Sequence, residues 1–560
     1  MKSFNTQFES VKSLEQFVKS NEIINFKNIL IQIFTGIIDE KHSLLVSSTL
    51  KKLLPQANIL GTTTSGEIYK SKIHNKTTLI SISVFEKTIV KSKLYKLDGS
   101  FRINDIKKDL ITKNTKALII FSDGMKSDAE RLLKKISPLK PDMIIAGGRA
   151  GDNVEFKRTY IFDGKEFNED ACVIATLSSD ELTVNNEYLL NWTPIGKKMI
   201  VTKVKGNILY ELDNTPIIEI YKKYLGKDIV KDLLFTSVDF PLIIKRDKLL
   251  IARSTVAKTD ENALVFAGNF EKGDIVHFSI GNMEDVINDT TKYFNYYKNI
   301  PAESIFVYSC SARKFLMGDK LEDEINILES LAPTVGFFTY GEYFYSSNVV
   351  ELLNVTTTFL ALSESKKIKQ RTLHKVKNHK YDLVKKALTH LITVTTQELE
   401  HTSTYDLLTE VHNRSEYLNR IALKIKSAKR YKENFGLMLI DIDYFKLVND
   451  NYGHTVGDSV LKKFASILVE NIREDDFMAR WGGEEFIVIA NYASVKDLEK
   501  LTKKLQKVIS KTSFAPVPKL TASFGLSIYI DNDTEESLFR RVDNAMYAAK
   551  RDGRNTYMFG

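Results

Sequence analysis

The sequence predicts a multidomain α/β protein, and three observations support that prediction. With 560 residues, the chain is too long for a single hydrophobic core. Residues 1–362 alternate short apolar runs with longer amphipathic stretches, which is typical of mixed α/β structure. Residues 406–560 contain strand-like runs joined by a tight glycine turn and end in an amphipathic helix. We therefore expect separate folded regions, joined by the segment at 363–405.

The strands of the first region are predicted from runs rich in β-branched residues and bounded by turn residues. Four such runs are ILIQIF at 29–34, TLISISV at 78–84, ALIIF at 117–121 and MIIA at 143–146. The longer segments between them have one polar face and are predicted to be helices.

The segment 363–405 has no glycine or proline, and apolar side chains recur at helical spacing at Tyr381, Val384, Leu388 and Leu391. The part at 363–387 holds nine Lys or Arg against two acids, which accounts for most of the net charge of +9. Without a recognition motif, this charge favours a solvated basic helix over nucleic-acid binding. The position between two compact regions favours a signalling helix over a helix packed on its own domain.

The cysteine content and the apolar runs predict a cytoplasmic protein without a transmembrane segment. The two cysteines, Cys172 and Cys310, are too few for a disulfide framework. No run approaches the ~20 apolar residues that span a bilayer. The first residues also lack the apolar core of a signal peptide.

The last region is predicted to contain a strand that ends in acidic residues, followed by a hairpin. FGLMLIDID at 435–443 is the strand, and FMARW at 477–481 and FIVIA at 486–490 are joined by the turn GGEE at 482–485. The segment at 537–555 is predicted to be a helix. One face of that helix carries Leu538, Val542, Ala545, Met546 and Ala549.

Four carboxylates would converge if these strands are neighbours: Asp441, Asp443, Glu484 and Glu485. Such a cluster repels itself unless a cation is present, and hard oxygen ligands favour Mg²⁺. Glycines in the turn leave room for a bulky substrate near the backbone. The pattern therefore indicates metal-assisted phosphoryl transfer.

Residues 405–560 resemble the GGDEF domain of diguanylate cyclases. The matching motifs are YDLLTEVHNR at 405–414, DIDYFKLVNDNYGHTVGDSVL at 441–461, RWGGEEF at 480–486 and AAKRDGRN at 548–555. The resemblance implies a central, mostly antiparallel sheet flanked by helices, of the nucleotidyl-cyclase type. It also implies the condensation of two GTP molecules into cyclic di-GMP by two facing domains, and therefore a homodimer.

The resemblance also implies residue roles. Asp441, Glu484 and the carbonyl of Ile442 would hold Mg²⁺, with Mn²⁺ as the alternative, and Asp443 would support that site. Glu484 would be the catalytic base, directly or through the metal. The implied substrate contacts are Asn449 and Asp458 for guanine, His454 in the pocket, and Phe445, Lys446, Lys550 and Arg554 for the phosphates.

Arg473 and Asp476 form an RxxD motif nine and six residues before Gly482. This is the position of the inhibitory product site in the family that the domain resembles. Arginine can stack on guanine and pair with phosphate, so product inhibition is the favoured interpretation. A charged loop in front of a strand is the alternative.

Residues 1–362 resemble the FIST sensory region, through GTTTSGEI at 61–68, GGRAGD at 147–152, SCSAR at 309–313 and GFFTYGE at 336–342. The resemblance implies a sensor for a small molecule of unknown identity. Candidate ligand contacts, which could equally be residues that stabilise turns or carry surface charge, are Glu67, Arg149, Asp152, Arg313 and Glu342.

These resemblances give four predicted parts. They are a FIST N-terminal domain at 1–210, a FIST C-terminal domain at 211–362, a basic helical linker at 363–405 and a GGDEF domain at 406–560. The predicted function is a ligand-regulated diguanylate cyclase. The alternative is a catalytically silent effector that binds GTP or cyclic di-GMP, although such proteins usually lose the glycine turn or the metal-binding acids.

Overall fold

The computed structural model describes residues 1–190, 192–228, 239–246, 249–281, 283–346, 349–368, 370–374, 383–491 and 494–560. These residues form two compact units, Met1–Ile392 and Thr393–Gly560. Positions 369 and 375–382 of the predicted linker lie outside the described residues.

The first unit is built mainly from strands. In chain order they are β1 Lys2–Gln7, β2 Asn28–Thr35, β3 Asn58–Thr63, β4 Glu67–Tyr69, β5 Lys72–His74, β6 Thr78–Phe85, β7 Ile89–Lys96, β8 Thr115–Ser122, β9 Ile144–Arg149, β10 Ile161–Phe162, β11 Phe167–Asn168, β12 Ala171–Ser178, β13 Thr183–Leu189, β14 Trp192–Lys205, β15 Ile208–Leu212, β16 Thr215–Pro216, β17 Leu242–Arg246, β18 Leu249–Arg253, β19 Thr255–Lys258, β20 Leu264–Phe266, β21 Ile275–Gly281, β22 Ser304–Cys310, β23 Thr334–Thr339, β24 Glu342–Ser346, β25 Val349–Leu353 and β26 Thr357–Ser363. The four strands predicted from apolar runs are confirmed as β2, β6, β8 and β9.

Helices cover the faces of these strands. They are α1 Val11–Ser20, α2 Glu40–Leu53, α3 Ile103–Leu110, α4 Ala129–Ile136, α5 Ile217–Leu225, α6 Met283–Tyr297, α7 Ser311–Met317 and α8 Leu321–Glu329. Several begin at a side chain that accepts a backbone hydrogen bond, such as Asp39 before α2 and Asp128 before α4.

Three sheets of the first unit share one strand order: β1-β6-β2-β3-β10-β11, β7-β12-β8-β9-β24-β25 and β13-β26-β22-β23-β4-β5. In each, the third and fourth strands are parallel, and the second is antiparallel to the third. The first four strands of each sheet form one repeat of the fold. The last two strands of each sheet form a hairpin that follows the fourth strand of a different repeat in the sequence. Thus β4–β5 follows β3 but pairs with β23, β10–β11 follows β9 but pairs with β3, and β24–β25 follows β23 but pairs with β9. The unit is therefore an internally triplicated fold with cyclically exchanged hairpins.

The three loops that lead into these hairpins meet at the centre of the triplicate. They carry the glycine-rich motifs of the sequence. The amide of Ser65 donates to the carbonyl of Phe338 at 3.0 Å. The amide of Gly151 donates to the carbonyl of Thr63, and the amide of Arg149 donates to the carbonyl of Gly341, both at 2.9 Å. Each loop thus contacts the other two and closes a ring of backbone hydrogen bonds.

The acidic residue that follows each loop is buried. Thr64 and Thr77 donate to Glu67, and Thr339 and Thr356 donate to Glu342 in the same manner. Burial raises the pKa of Glu342 to about 8. Three backbone amides, those of residues 156–158, donate to the third acid, Asp152. These contacts favour a turn-stabilising role over a ligand contact for the three acids.

An eight-stranded sheet is inserted between the strands of the third repeat. Its order is β18-β17-β21-β14-β15-β20-β19, with β16 paired to β15, and its own hydrophobic core includes residues of α5. The buried side chain of Arg253 joins this sheet to the triplicate by donating to the carbonyl of Leu352 at 3.0 Å and to Asn354 Oδ1 at 3.3 Å.

The second unit contains one five-stranded sheet with the order β28-β29-β27-β30-β31, and only its last pair is parallel. Its strands are β27 Gly436–Ile442, β28 Phe477–Gly482, β29 Glu485–Ala490, β30 Ala522–Ile528 and β31 Tyr557–Phe559. Its helices are α10 Arg414–Tyr431, α11 Phe445–Tyr452, α12 His454–Asn471, α13 Val495–Lys511 and α14 Glu535–Arg551. The predicted mostly antiparallel sheet and the predicted apolar face of the closing helix are confirmed.

The helix predicted for the linker is found as α9 Leu383–Thr404. The prediction is wrong for the described positions 364–368 and 370–374, which are not helical. Leu388 and Leu391 on this helix are 52 % and 60 % exposed. Within the described residues, no helix is long and apolar enough to cross a membrane.

Candidate active site

The hairpin turn of β28 and β29 lies beside the acidic end of β27. In the ladder, Asp441 stands opposite Glu485, and the amide of Ile442 donates to the carbonyl of Glu484 at 3.4 Å. The two acidic segments recognised in the sequence therefore meet at one sheet edge. This register follows from the antiparallel pairing of β27 and β29, both of which are buried on the two faces of the sheet.

The carboxylate of Asp441 is the electrostatic centre of this edge. Its residue is only 4 % exposed. Burial raises its pKa, and the nearby charges of Glu484 and Asp443 raise it further, whereas the ammonium of Lys550 lowers it. Lys550 Nζ lies 2.7 Å from Asp441 Oδ2. Burial and the charge of Asp441 also raise the pKa of Glu485.

The two glycines of the turn leave open space. A Cβ atom added at Gly482 or Gly483 would have no neighbour within 4 Å, and Gly483 has a φ of +48° that favours glycine. Arg480 fixes the turn: its Nε and NH2 donate to the carbonyl of Gly483 at 2.9 and 2.7 Å. Its NH1 donates to Asp406 Oδ1 at 2.9 Å.

Asp443 follows the last residue of β27, and its carboxylate accepts three hydrogen bonds. It accepts from Ser523 at 2.6 Å, from Thr521 at 2.7 Å and from the amide of Asn555 at 3.0 Å. Asp443 therefore ties the closing segment of the chain to the acidic end of β27. The negative charge of Asp443 also raises the pKa of Asp441.

Helices α11 and α12 form the wall next to this edge. Tyr444 precedes α11 in the left-handed conformation, and no side chain caps that helix, so the amides of Phe445 and Lys446 lie at an uncapped N-terminus.

At the α11–α12 corner, a Cβ atom added at Gly457 would lie 2.0 Å from Asn449 Oδ1. Glycine at 457 is therefore needed for the observed position of the Asn449 amide.

The residues at the edge fit a hard divalent cation. The predicted ligands are two carboxylates and a carbonyl, all oxygen donors, and a cationic ammonium already pairs with Asp441. Burial, and to a smaller extent the charges of Glu484 and Asp443, raise the pKa of Asp441, and a cation bound beside this carboxylate would offset these effects. Among the described residues, no three His, Cys, Asp or Glu side chains form a ready metal cluster.

Three family models match the chain. Residues 403–556 match the diguanylate cyclase GGDEF domain, residues 29–215 the FIST N domain and residues 218–345 the FIST C domain. The chain joins a FIST region to a GGDEF domain. Both resemblances predicted from motifs are thereby confirmed, and the GGDEF domain is homologous to diguanylate cyclases.

Two named relatives each match somewhat more than a quarter of this chain. Diguanylate cyclase DgcM of Escherichia coli is 35% identical over 159 residues, which are 28% of this chain and 39% of that protein. The response regulator PleD of Caulobacter vibrioides is 36% identical over 156 residues, 27% of this chain and 34% of that protein. The chain thus spans little more than a third of these relatives. A solved structure, the active GGEEF domain of a diguanylate cyclase from Vibrio cholerae, is 32% identical, covers 26% of this chain and 96% of that chain, and has a TM-score of 0.25.

The GGDEF domain places most of the predicted site residues along this edge and wall. Asp441, Ile442, Glu484 and Lys550 lie together, and Phe445 and Lys446 begin α11. His454 and Asp458 are exposed in the first turns of α12.

The prediction that the closing helix extends to residue 555 is wrong, so Lys550 and Arg554 do not lie one helical turn apart. Helix α14 ends at Arg551, and Gly553, with a φ of +99°, turns the chain away from the helix axis. Arg554 follows in the left-handed conformation and stacks on Tyr444, with its guanidinium carbon 4.5 Å from the ring centre. Its NH1 donates to the Tyr444 hydroxyl at 3.4 Å.

The RxxD residues lie in the loop between α12 and β28. The Asp476 carboxylate accepts from the amide of Arg473 at 3.1 Å and from the amide of Asn491 at 3.1 Å. Arg473 is exposed. The aspartate thus stabilises its own loop, as in the alternative interpretation, while the arginine side chain is accessible to solvent.

Two features of the GGDEF domain were not predicted from the sequence. One is the contact of Arg480 with both Asp406 and the glycine turn, for which the opening motif YDLLT was the available signal. The other is the stacking of Arg554 on Tyr444, for which the sequence offers no periodic pattern because the two residues are far apart in the chain.

Proposed function

We propose that this chain is a diguanylate cyclase that condenses two GTP molecules into cyclic di-GMP and two pyrophosphates. The supporting observation is the meeting of Asp441 and the Glu484 turn at one sheet edge, beside glycines that leave room for a substrate. The membership of the domain in the GGDEF family agrees with this proposal.

In this proposal Asp441, Glu484 and the carbonyl of Ile442 hold Mg²⁺, or Mn²⁺ as the alternative. The bound metal would polarise the α-phosphate and lower the pKa of the attacking hydroxyl. Glu484 accepts the proton of the 3′-hydroxyl. Lys550, paired with Asp441, neutralises the carboxylate until the metal and the triphosphate arrive.

The substrate contacts are proposed from position and chemistry. Asn449 and Asp458 contact guanine, because an aspartate can accept from the ring N–H and the amino group together, and adenine lacks this donor pair. His454 lies in the same pocket. The uncapped start of α11, with Phe445 and Lys446, binds the phosphates together with Lys550 and Arg554.

Each domain binds one GTP, so the reaction needs two facing domains in a homodimer. Each 3′-oxygen forms a bond to the partner's α-phosphorus, the bond to the β-phosphate bridge breaks, and pyrophosphate leaves twice. Holding the two nucleotides face to face converts a bimolecular reaction into an oriented one.

The direct test incubates the purified full-length chain with GTP and Mg²⁺ and measures cyclic di-GMP and pyrophosphate by chromatography. We expect one cyclic di-GMP for every two pyrophosphates, and no product without divalent metal. GTP binding without any product would instead support the silent effector.

Loss of the Tyr444 ring should weaken GTP binding, because this ring holds the Arg554 guanidinium. We expect Tyr444→Leu to raise the KM for GTP roughly two- to fivefold, as removal of a cation–π contact of ~0.5–1 kcal/mol would do. The value of kcat should change little, and Tyr444→Phe should retain a KM near that of the unmodified chain. Tyr431→Leu, at another exposed tyrosine below an arginine, is the matched control. Equal KM values for the two Tyr444 variants would contradict this role.

Product inhibition is proposed to act through Arg473 and Asp476. We expect Arg473→Ala to raise the cyclic di-GMP concentration for half-inhibition on the order of tenfold, the effect of losing one charge-assisted hydrogen bond. Initial rates at low product should stay unchanged. Lys462→Ala, which removes an exposed charge from α12, is the control. An unchanged inhibition curve for Arg473→Ala would remove the brake from the proposal.

The regulatory part of the proposal rests on the FIST match. We propose that the region senses a small molecule, and that the parts at 1–210, 211–362, 363–405 and 406–560 are the sensor halves, the linker and the cyclase. Strands from both sides of residue 210 share two of the triplicated sheets, so the two sensor halves would act as one body. A cytoplasmic location stays a prediction.

A further inference from the structure

A groove of 590 Å³ opens in the first unit between the triplicate and the inserted sheet. The triplicate contributes residues of β13 and α6, and the inserted sheet contributes β18. The side chains used below are Glu187, Tyr188, Leu250, Lys292, Tyr293 and Tyr296. Cavities of this size, at the contact of two substructures, are the usual sites of small ligands.

Three of the eight residues that line the groove are tyrosines, and three are leucines. Tyr188 and Tyr293 are partly buried, whereas Tyr296 is 67 % exposed. The faces of such rings carry partial negative charge and attract cations within about 6 Å of the ring centre. A flat or apolar ligand body would also cover the exposed ring of Tyr296, which is otherwise in contact with water.

A carboxylate lies in the same groove. The hydroxyl of Tyr297 donates to Glu187 Oε1 at 2.5 Å. In the part of the chain that the structure describes, no group donates to Glu187 Oε2. Burial raises the pKa of Glu187, whereas the hydrogen bond from Tyr297 lowers it, and among the described residues no cation pairs with this carboxylate. A positively charged group in the groove would replace that lost solvation.

We propose that this groove binds a small organic cation, a protonated amine with a flat or apolar body. The ammonium would pair with Glu187, and the body would lie against Tyr188, Tyr293 and Tyr296. That the groove is the sensor site rests on the proposed function, whereas the binding itself does not. Leu250 of the inserted sheet also lines the groove, so a ligand that reaches this side chain contacts the inserted sheet as well as the triplicate and stabilises their arrangement.

The test uses the full-length chain and three probes of one skeleton: 2-phenylethylamine, 2-phenylethanol and phenylacetate. We expect calorimetry to show binding of the amine at least about tenfold tighter than of the neutral alcohol, as an ion pair with a partly buried carboxylate gives. Phenylacetate tests the alternative that the groove binds an organic anion, whose carboxylate would pair with Lys292. No binding of the amine, or tighter binding of phenylacetate, would overturn the proposal.

Two variants assign the site. Glu187→Gln keeps the size of the side chain and an acceptor for Tyr297, and should abolish the preference for the amine over the alcohol. Tyr296→Ala should weaken the amine several-fold. The matched controls on α5 are Glu219→Gln and Tyr224→Ala, both at solvent-accessible positions, and both should leave binding unchanged. Unchanged affinity in Glu187→Gln would refute the assignment.

The same protein separates this proposal from the cyclase proposal. A chain that binds the amine but forms no cyclic di-GMP would refute the enzymatic function and leave the groove assignment in place. A chain that forms cyclic di-GMP but does not bind the amine would refute the groove assignment and leave the enzymatic function in place.

Discussion

Replacing Glu484 with glutamine is expected to abolish the formation of cyclic di-GMP while GTP still binds. Glu484 lies in the β28–β29 turn, and its carbonyl accepts a hydrogen bond from the amide of Ile442, the neighbour of the buried Asp441. Glutamine has the same size, but it cannot accept a proton and is a poor ligand for a hard cation. Loss of a positioned base alone typically lowers the rate ~10²–10⁴-fold. Loss of a metal ligand at the same position would lower it further.

The measurement is the initial rate of product formation at saturating GTP, with GTP binding followed separately by calorimetry. Glu433→Gln, an exposed glutamate before β27, is the control for the loss of one charge. Full turnover by Glu484→Gln would remove both roles from this residue. Loss of GTP binding along with turnover would assign Glu484 to substrate binding.

The sequence was sufficient for the parts of the site that local patterns determine. The strand at 435–443 is a continuous apolar run ending in two acids, and the hairpin is marked by its two glycines. Both are confirmed as β27 and as the β28–β29 pair. The meeting of these segments was predictable because the GGDEF motifs occur together and in order.

Features that depend on distant partners were not predictable from local patterns. The exchanged hairpins of the first unit require that β4 pairs with β23, more than two hundred residues away, and no periodicity encodes that register. The hydrogen bonds that Asp443 accepts from Thr521, Ser523 and Asn555 also join segments that are far apart in the chain, and its support of the metal site stays a prediction. The end of α14 was missed because helical spacing continues through Lys550 to Arg554, whereas Gly553 ends it.

Replacing Gly457 with alanine is the second substitution with a large expected effect. The new methyl group would lie 2.0 Å from Asn449 Oδ1, far inside van der Waals contact, so the Asn449 amide has to move. Helix propensity favours alanine, so α12 itself should form at least as well as before. The effect should therefore fall on the position of Asn449 rather than on the helix.

We expect the KM for GTP to rise roughly ten- to hundredfold in Gly457→Ala, since displacing one hydrogen-bonding partner of a buried base costs about 1–3 kcal/mol. The preference for GTP over ATP should fall by a similar factor, because ATP gains nothing from the original position of Asn449. Ser459→Ala, exposed on the same helix, is the control. An unchanged KM and an unchanged preference, in a variant with unaltered thermal stability, would show that Asn449 does not read guanine.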